Sequence, residues 1–171
     1  MAVHKAYIAL GSNLCDPATQ VRKAFSALEK IPKTKVIQCS SLYQSEPVGH
    51  DNQPDFINAV AEVHTDASPE TLLKALLDIE QGFGRERPFP NAPRILDLDL
   101  LCYDDVDQKT DSLTLPHPRM HLRGFVLLPL AEIVPELEIS YHDIIPKHAN
   151  VVKLAEPFQN QGITKLSNHS V

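Results

Sequence analysis

Residues 95–103, Ile95-Leu96-Asp97-Leu98-Asp99-Leu100-Leu101-Cys102-Tyr103, decide how this chain is read. The even positions Leu96, Leu98, Leu100 and Cys102 form one apolar face, and the period of two predicts a strand whose apolar face packs on helices. The opposite face carries Asp97 and Asp99, one strand period apart at roughly 6.5–7 Å. Aspartate is a poor strand former. Two like charges at that distance repel by about 2–2.5 kcal/mol at an effective dielectric of ~20. A divalent cation between them would turn this cost into a binding site, and magnesium (Mg2+) takes one or two carboxylates plus substrate phosphates. The alternative is a solvated strand face.

Working outward from this strand, the preceding segment Arg85-Glu86-Arg87-Pro88-Phe89-Pro90-Asn91-Ala92-Pro93-Arg94 is a proline-stiffened loop with three arginines. The following segment Pro116-His117-Pro118-Arg119-Met120-His121-Leu122-Arg123 adds two more, with His117 held between two prolines. Five of the six arginines thus lie within residues 85–123, whereas nine of the ten lysines lie outside. Arginine's planar, permanently charged fork suits phosphate oxygens. Clustering in an acidic chain of formal net charge −6 points to an anion site, with surface ion pairs to Glu86 and other acids as the alternative. Acids on a strand beside arginines on its loops are the parts of a phosphoryl-transfer site. No Walker-type glycine loop is present.

The rest of the chain frames this site. Val3–Leu10 reads as a strand closed by Gly11-Ser12-Asn13. Asp16 and Pro17 read as N-cap and first turn of a helix with Val21, Ala24, Phe25 and Leu28 on its apolar side. Val36–Tyr43 reads as a second strand, and Phe56–His64 as a third, with Ile57, Ala59, Ala61 and Val63 on one face. Ser68-Pro69 opens a second helix lined by Leu72, Leu76, Ile79 and Phe83, which Gly82 and Gly84 end. The order β-α-β-β-α-β predicts an α+β, ferredoxin-like antiparallel sheet with helices on one face and active-site loops on the other. Past Pro116, Arg123–Ile133 is apolar enough for a buried helix although Pro129 interrupts it, and the last ~15 residues read as a tail prone to fraying.

The 171 residues suit one domain. The acidic balance argues against a nucleic-acid-coating protein, and no stretch approaches the ~18 apolar residues of a membrane span. Cys15, Cys39 and Cys102 lack metal-ligand spacing and read as reduced thiols, so a cytoplasmic protein is expected; separately, a monomer is expected.

Several segments together carry a family resemblance: Ala6-Tyr7-Ile8-Ala9-Leu10-Gly11-Ser12-Asn13-Leu14, Ser45-Glu46-Pro47-Val48-Gly49, Gln53-Pro54-Asp55-Phe56-Ile57-Asn58, Pro93-Arg94-Ile95-Leu96-Asp97-Leu98-Asp99 and Pro116-His117-Pro118-Arg119-Met120. In this order and spacing the chain, over about residues 6–136, resembles the 6-hydroxymethyl-7,8-dihydropterin pyrophosphokinases of folate biosynthesis. The resemblance implies transfer of pyrophosphate from ATP to the pterin's hydroxymethyl oxygen, with AMP leaving and two magnesium ions. It makes Asp97 and Asp99 the metal ligands, with Arg85 and Arg94 beside them in catalysis. It places the pterin ring between Phe56 and Phe125, with Asn58 on its edge and Ser45 to Val48 lining the pocket. It assigns Glu80, Arg87, Leu100, Thr114, His117 and Arg123 to the ATP side. Ala92 stands where the family usually has glycine, and the chain contains no tryptophan. The rival readings are a nucleotidyl transferase or cyclase on a similar sheet and a ligand-binding module without catalysis.

Overall fold

The computed structural model describes residues 3–46, 55–84, 95–140 and 148–166. In chain order the elements are β1 (His4–Ser12), α1 (Pro17–Glu29), β2 (Thr34–Cys39), β3 (Tyr43–Ser45), β4 (Phe56–Thr65), α2 (Pro69–Gly82) and β5 (Asp97–Tyr103). A small hairpin of β6 (Gln108–Lys109) and β7 (Thr114–Leu115) follows. A 3-10 turn at Met120–Leu122 then leads into α3 (Gly124–Ile133). The chain continues through β8 (Glu138–Ser140), β9 (His148–Asn150), α4 (Val151–Ala155), a 3-10 turn at Glu156–Phe158, and β10 (Ile163–Lys165).

The main sheet runs β10-β3-β4-β1-β5, with β2 also on β4, and every pairing is antiparallel. The second strand expected over Val36–Tyr43 is two. Ser40 breaks it: its amide still bonds Val60 O at 2.8 Å, but its hydroxyl accepts from Val60 N at 2.9 Å, so a side chain replaces part of the backbone ladder.

Alternation in the strands divides the apolar residues between two cores. Ala6, Ile8 and Leu10 of β1, Ile57, Ala59, Ala61 and Val63 of β4, and Leu96, Leu98 and Leu100 meet Val21, Ala24 and Leu28 of α1 and Leu72 and Leu76 of α2. The opposite sides supply Tyr7, Ala9, Val60, Leu101 and Cys102. These pack on Val126, Leu127 and Leu130 of α3 and Val151 and Ala155 of α4. Helices therefore cover part of both faces, where loops alone were expected on the second. A helix that is apolar all round needs cover on every side, and α3 carries Pro129 in its interior.

Cys102 is a second departure. The pairing of β1 with β5 shifts register between Tyr7 and Ile8, opposite Leu100 and Cys102. The extra residue, Leu101, is a bulge; it turns Cys102 to the second core and Tyr103 to the first.

The helix starts also differ. Ser68 caps α2 by accepting from Thr71 N at 3.2 Å. Asp16, however, takes a left-handed backbone (φ 61°) and caps no amide of α1; its carboxylate accepts from Thr19 Oγ1 at 2.7 Å instead. The C-terminal residues up to 166 are not a frayed end: β10 adds to the sheet beside β3.

Candidate active site

On the α3 side of the sheet, strand register assembles a row of functional groups. Gly11 in the middle strand is opposite Asn58 of β4 on one side and Asp97 of β5 on the other. One row along, Ala9 lies between Val60 and Asp99. Gly11 thus places no side chain between Asn58 and Asp97, while Ala9 is packed in the second core. At Gly11 the need is steric: a Cβ there would sit 3.0 Å from Asn58 Oδ1. Glycine in a strand marks such close approach, and this was the signal for a site residue that motif reading left out.

Asn58 is only 5% exposed, and its amide donates to Ser45 Oγ at 2.9 Å. Phe56 lies two residues away, opposite Ser45 in register, on the same strand face. It is half-buried and belongs to neither core. Phe125, at the start of α3, is half-buried against the second core.

The aspartates face α3's N-terminal end. Arg123 Nη1 lies 3.6 Å from Asp99 Oδ2, and its guanidinium carbon lies 5.9 Å from the centroid of the Phe125 ring. His117 is tied to β5: its amide donates to Leu101 O at 2.8 Å, while its Nδ1 accepts from Arg119 N at 3.1 Å. Burial lowers its pKa, opposed by the charge of Asp99 and reinforced by Arg123 and Arg119. A neutral ring with Nδ1 as acceptor carries its proton on Nε2.

Two residues expected near the nucleotide have other tasks. Glu80 is buried on α2, and its Oε2 accepts from Leu98 N at 2.7 Å, holding the edge strand β5 to the helix. Leu100 points its side chain into the first core, so only its backbone can meet a ligand. Thr114, in β7, is half-buried beside β5. Val48, Arg85, Arg87 and Arg94 lie outside the described residues.

Among the described residues no group of three or more His, Cys, Asp or Glu gathers as a metal centre. Asp97 and Asp99 offer two hard oxygen donors on one open face, with Asp99 44% exposed. That donor set fits magnesium, which completes its shell with phosphate oxygens and water.

The model of the family described as 7,8-dihydro-6-hydroxymethylpterin-pyrophosphokinase (HPPK) matches residues 7–135. The chain belongs to this family. It is thus an ATP-dependent pyrophosphokinase, transferring pyrophosphate from ATP to hydroxymethyldihydropterin in folate synthesis. A 2-amino-4-hydroxy-6-hydroxymethyldihydropteridine pyrophosphokinase of Haemophilus influenzae is 40% identical over 162 residues, 95% of this chain and 98% of that protein. The Pseudomonas aeruginosa protein of the same name is 42% identical over 137 residues, 80% and 85% respectively. Among solved structures, wild-type HPPK-DHPS of Plasmodium falciparum with pteroate superposes with a TM-score of 0.69 at 15% identity, covering 92% of this chain. The chain spans 42% of that longer polypeptide, and the likeness is one of fold. The family segments at residues 93–99 and 116–120 both fall within the matched range.

Proposed function

We propose that the sheet face at the junction of β4, β1 and β5 forms a trough in which the pyrophosphokinase reaction takes place, with the pterin on the Asn58 side and the ATP phosphates on the Asp97–Asp99 side. The observation that carries this reading is the register row Asn58–Gly11–Asp97. It brings a hydrogen-bonding amide and an acid to either side of a residue without a side chain, so acceptor and donor substrates can meet over Gly11.

Phe56 and Phe125 hold the pterin ring by stacking, worth about 0.5–1.5 kcal/mol per aromatic pair beyond burial. Stacking admits any flat heterocycle, so the ring's edge is read by Asn58, whose orientation Ser45 fixes. Val48 lines the same pocket. Asp97 and Asp99 would hold the two magnesium ions, which would supply neutralisation of phosphate charge. Arg123 shares the charge of Asp99 and lies beside Phe125, so it sits where the two substrates join. His117 with its Nε2 proton donates to a phosphate oxygen. Arg85, Arg87 and Arg94 are assigned to the ATP phosphates, Arg85 and Arg94 stabilising the charge that builds during transfer. Glu80, Leu100 and Thr114 frame the nucleotide side, Glu80 through its hold on β5.

The strand order β5-β1-β4-β2 with α1 and α2 on one face supports reading residues 1–171 as one domain on a ferredoxin-like core. No helix among the described residues is long and apolar enough to cross a membrane, and we read the protein as a cytoplasmic monomer without a nucleic-acid partner. The deciding experiment is AMP release from ATP, with and without 6-hydroxymethyl-7,8-dihydropterin and with magnesium varied. Pterin-dependent, magnesium-dependent AMP formation supports the reading. AMP release indifferent to the pterin overturns it.

A further inference from the structure

The proposed pterin pocket has walls from parts distant in sequence. Ser45, Phe56 and Asn58 stand on the β3–β4 pair, and Phe125 stands on α3. Besides the second core, a polar cluster outside the pocket joins these parts. Glu132, in the last turn of α3, accepts from Ser41 N at 3.0 Å and from the Tyr43 hydroxyl at 2.8 Å through Oε1. Its Oε2 accepts from Ser41 Oγ at 2.8 Å and lies 3.6 Å from Lys165 Nζ of β10. Burial alone would raise the carboxyl's pKa, but the bonds from Ser41 and Tyr43 and the charge of Lys165 hold it below the usual range.

The geometry gives this cluster leverage on the pocket. Glu132 follows Phe125 by seven residues, which is about two helical turns and the same side of the helix. Tyr43 is opposite Asn58 in register, and Ser45 is two residues further along the same strand face. One carboxylate therefore pins the helix bearing one aromatic wall to the strand beside the other. Ser41 lies in the break between β2 and β3, where its amide has no place in the ladder, so the bond to Glu132 also sets where β3 begins.

We propose that Glu132, through Ser41 and Tyr43, is a positioning residue that sets the gap between Phe125 and the Ser45–Phe56–Asn58 wall, and so the fit for the pterin. The proposal rests on the pocket assignment given above. A merely structural cluster would change melting temperature and weaken both substrates together. A positioning role weakens the pterin selectively.

The test uses the full chain with magnesium, an unreactive α,β-methylene analogue of ATP and 6-hydroxymethyl-7,8-dihydropterin, titrated by calorimetry. Glu132→Gln and Tyr43→Phe are each expected to raise the pterin Kd about tenfold, as for loss of one charge-assisted bond, with the ATP-analogue Kd within about twofold. The double variant should lose less than the sum of the two, because both act through one bond network. Should Glu132→Gln fail to fold, Tyr43→Phe carries the test, since the ring stays and only the hydroxyl goes. Folded variants with unchanged pterin affinity, or with both ligands weakened equally, overturn the proposal. Wild-type protein that binds the ATP analogue but no pterin removes the pocket assignment, and the proposal falls with it.

Discussion

Asp97 and Asp99 are unfavourable residues for a strand, and their like charges repel across one strand period. Asp99 is 44% exposed and lies 3.6 Å from Arg123, a separation at which partly exposed pairs contribute little. Asp97→Asn and Asp99→Asn should therefore lower kcat by ~10² or more, as for lost electrostatic stabilisation of the transition state. The melting midpoint should move by no more than about 2 °C. Steady-state kinetics with a thermal melt checks both halves. Gly11 makes the opposite kind of demand. Its missing side chain matters because Asn58 Oδ1 would lie 3.0 Å from a Cβ, and Asn58 is held in place by Ser45. Gly11→Ala should raise the pterin KM with less effect on the ATP KM, since the displaced group reads the pterin. Equal shifts in the two constants would place the damage elsewhere in the trough.

Among the elements, β5 is the one that organises the others. It is an edge strand of the sheet, and Glu80 accepts its Leu98 amide from within the first core. Glu80→Ala would leave that amide without an acceptor and open a void, so it should cost about 2–4 kcal/mol in urea unfolding. Glu80→Gln, which keeps an acceptor oxygen, should cost roughly half as much or less. Equal losses would mean that the charge of Glu80, not its bond to Leu98, is what the fold uses. The start of α3 is held from the other side: a Cβ on Gly124 would come within 2.5 Å of Phe158 Cβ. The contact ties the C-terminal 3-10 turn to the helix start that bears Arg123 and Phe125. Gly124→Ala should therefore destabilise by about 1–3 kcal/mol through overpacking, read in the same urea series.

At the scale of the whole molecule, a sheet covered on both faces buries titratable groups whose neutral forms the fold prefers. Cys102 is buried and its thiol is pushed up to about 12 from 9.0, by burial. As pH rises past 9 the unfolded chain gives up this proton first, so native stability falls until the folded thiol ionises as well, by up to about 1.4 kcal/mol per pH unit. Burial likewise raises Tyr7, and burial with the Glu132 bond raises Tyr43, extending the loss beyond pH 10. On the acid side, burial lowers His121 from 6.5, so the unfolded chain binds that proton first and stability declines below 6.5. Glu132, held below its usual range despite burial, adds a further loss as pH falls through its folded pKa. Urea midpoints measured from pH 5 to 10.5 should show a plateau between about 7 and 8.5 with a decline on each side. Cys102→Ala should flatten the first part of the alkaline limb; a limb unchanged in that variant would assign the decline to the tyrosines.

Periodicity in the sequence by itself determined which residues share a face. It put Asp97 and Asp99 opposite Leu96, Leu98 and Leu100, and Phe56 with Asn58. Local chemistry determined the Ser68 cap of α2, because a cap depends on residues within four positions of each other. Side-chain alternation says nothing about which strands become neighbours or in what register. Only the tertiary structure decided that Gly11 lies between Asn58 and Asp97, that Leu101 bulges and turns Cys102 to the other core, and that Ser40 splits the second strand. The apolar run from Gly124 to Ile133 carries no preferred face, so its choice of the second sheet face came from packing. The same holds for β10, whose three residues have no pattern of their own and become a strand only against β3. Pairing across the sheet is a contact between residues far apart in the chain, set by how two cores fill, and no local signal contains it.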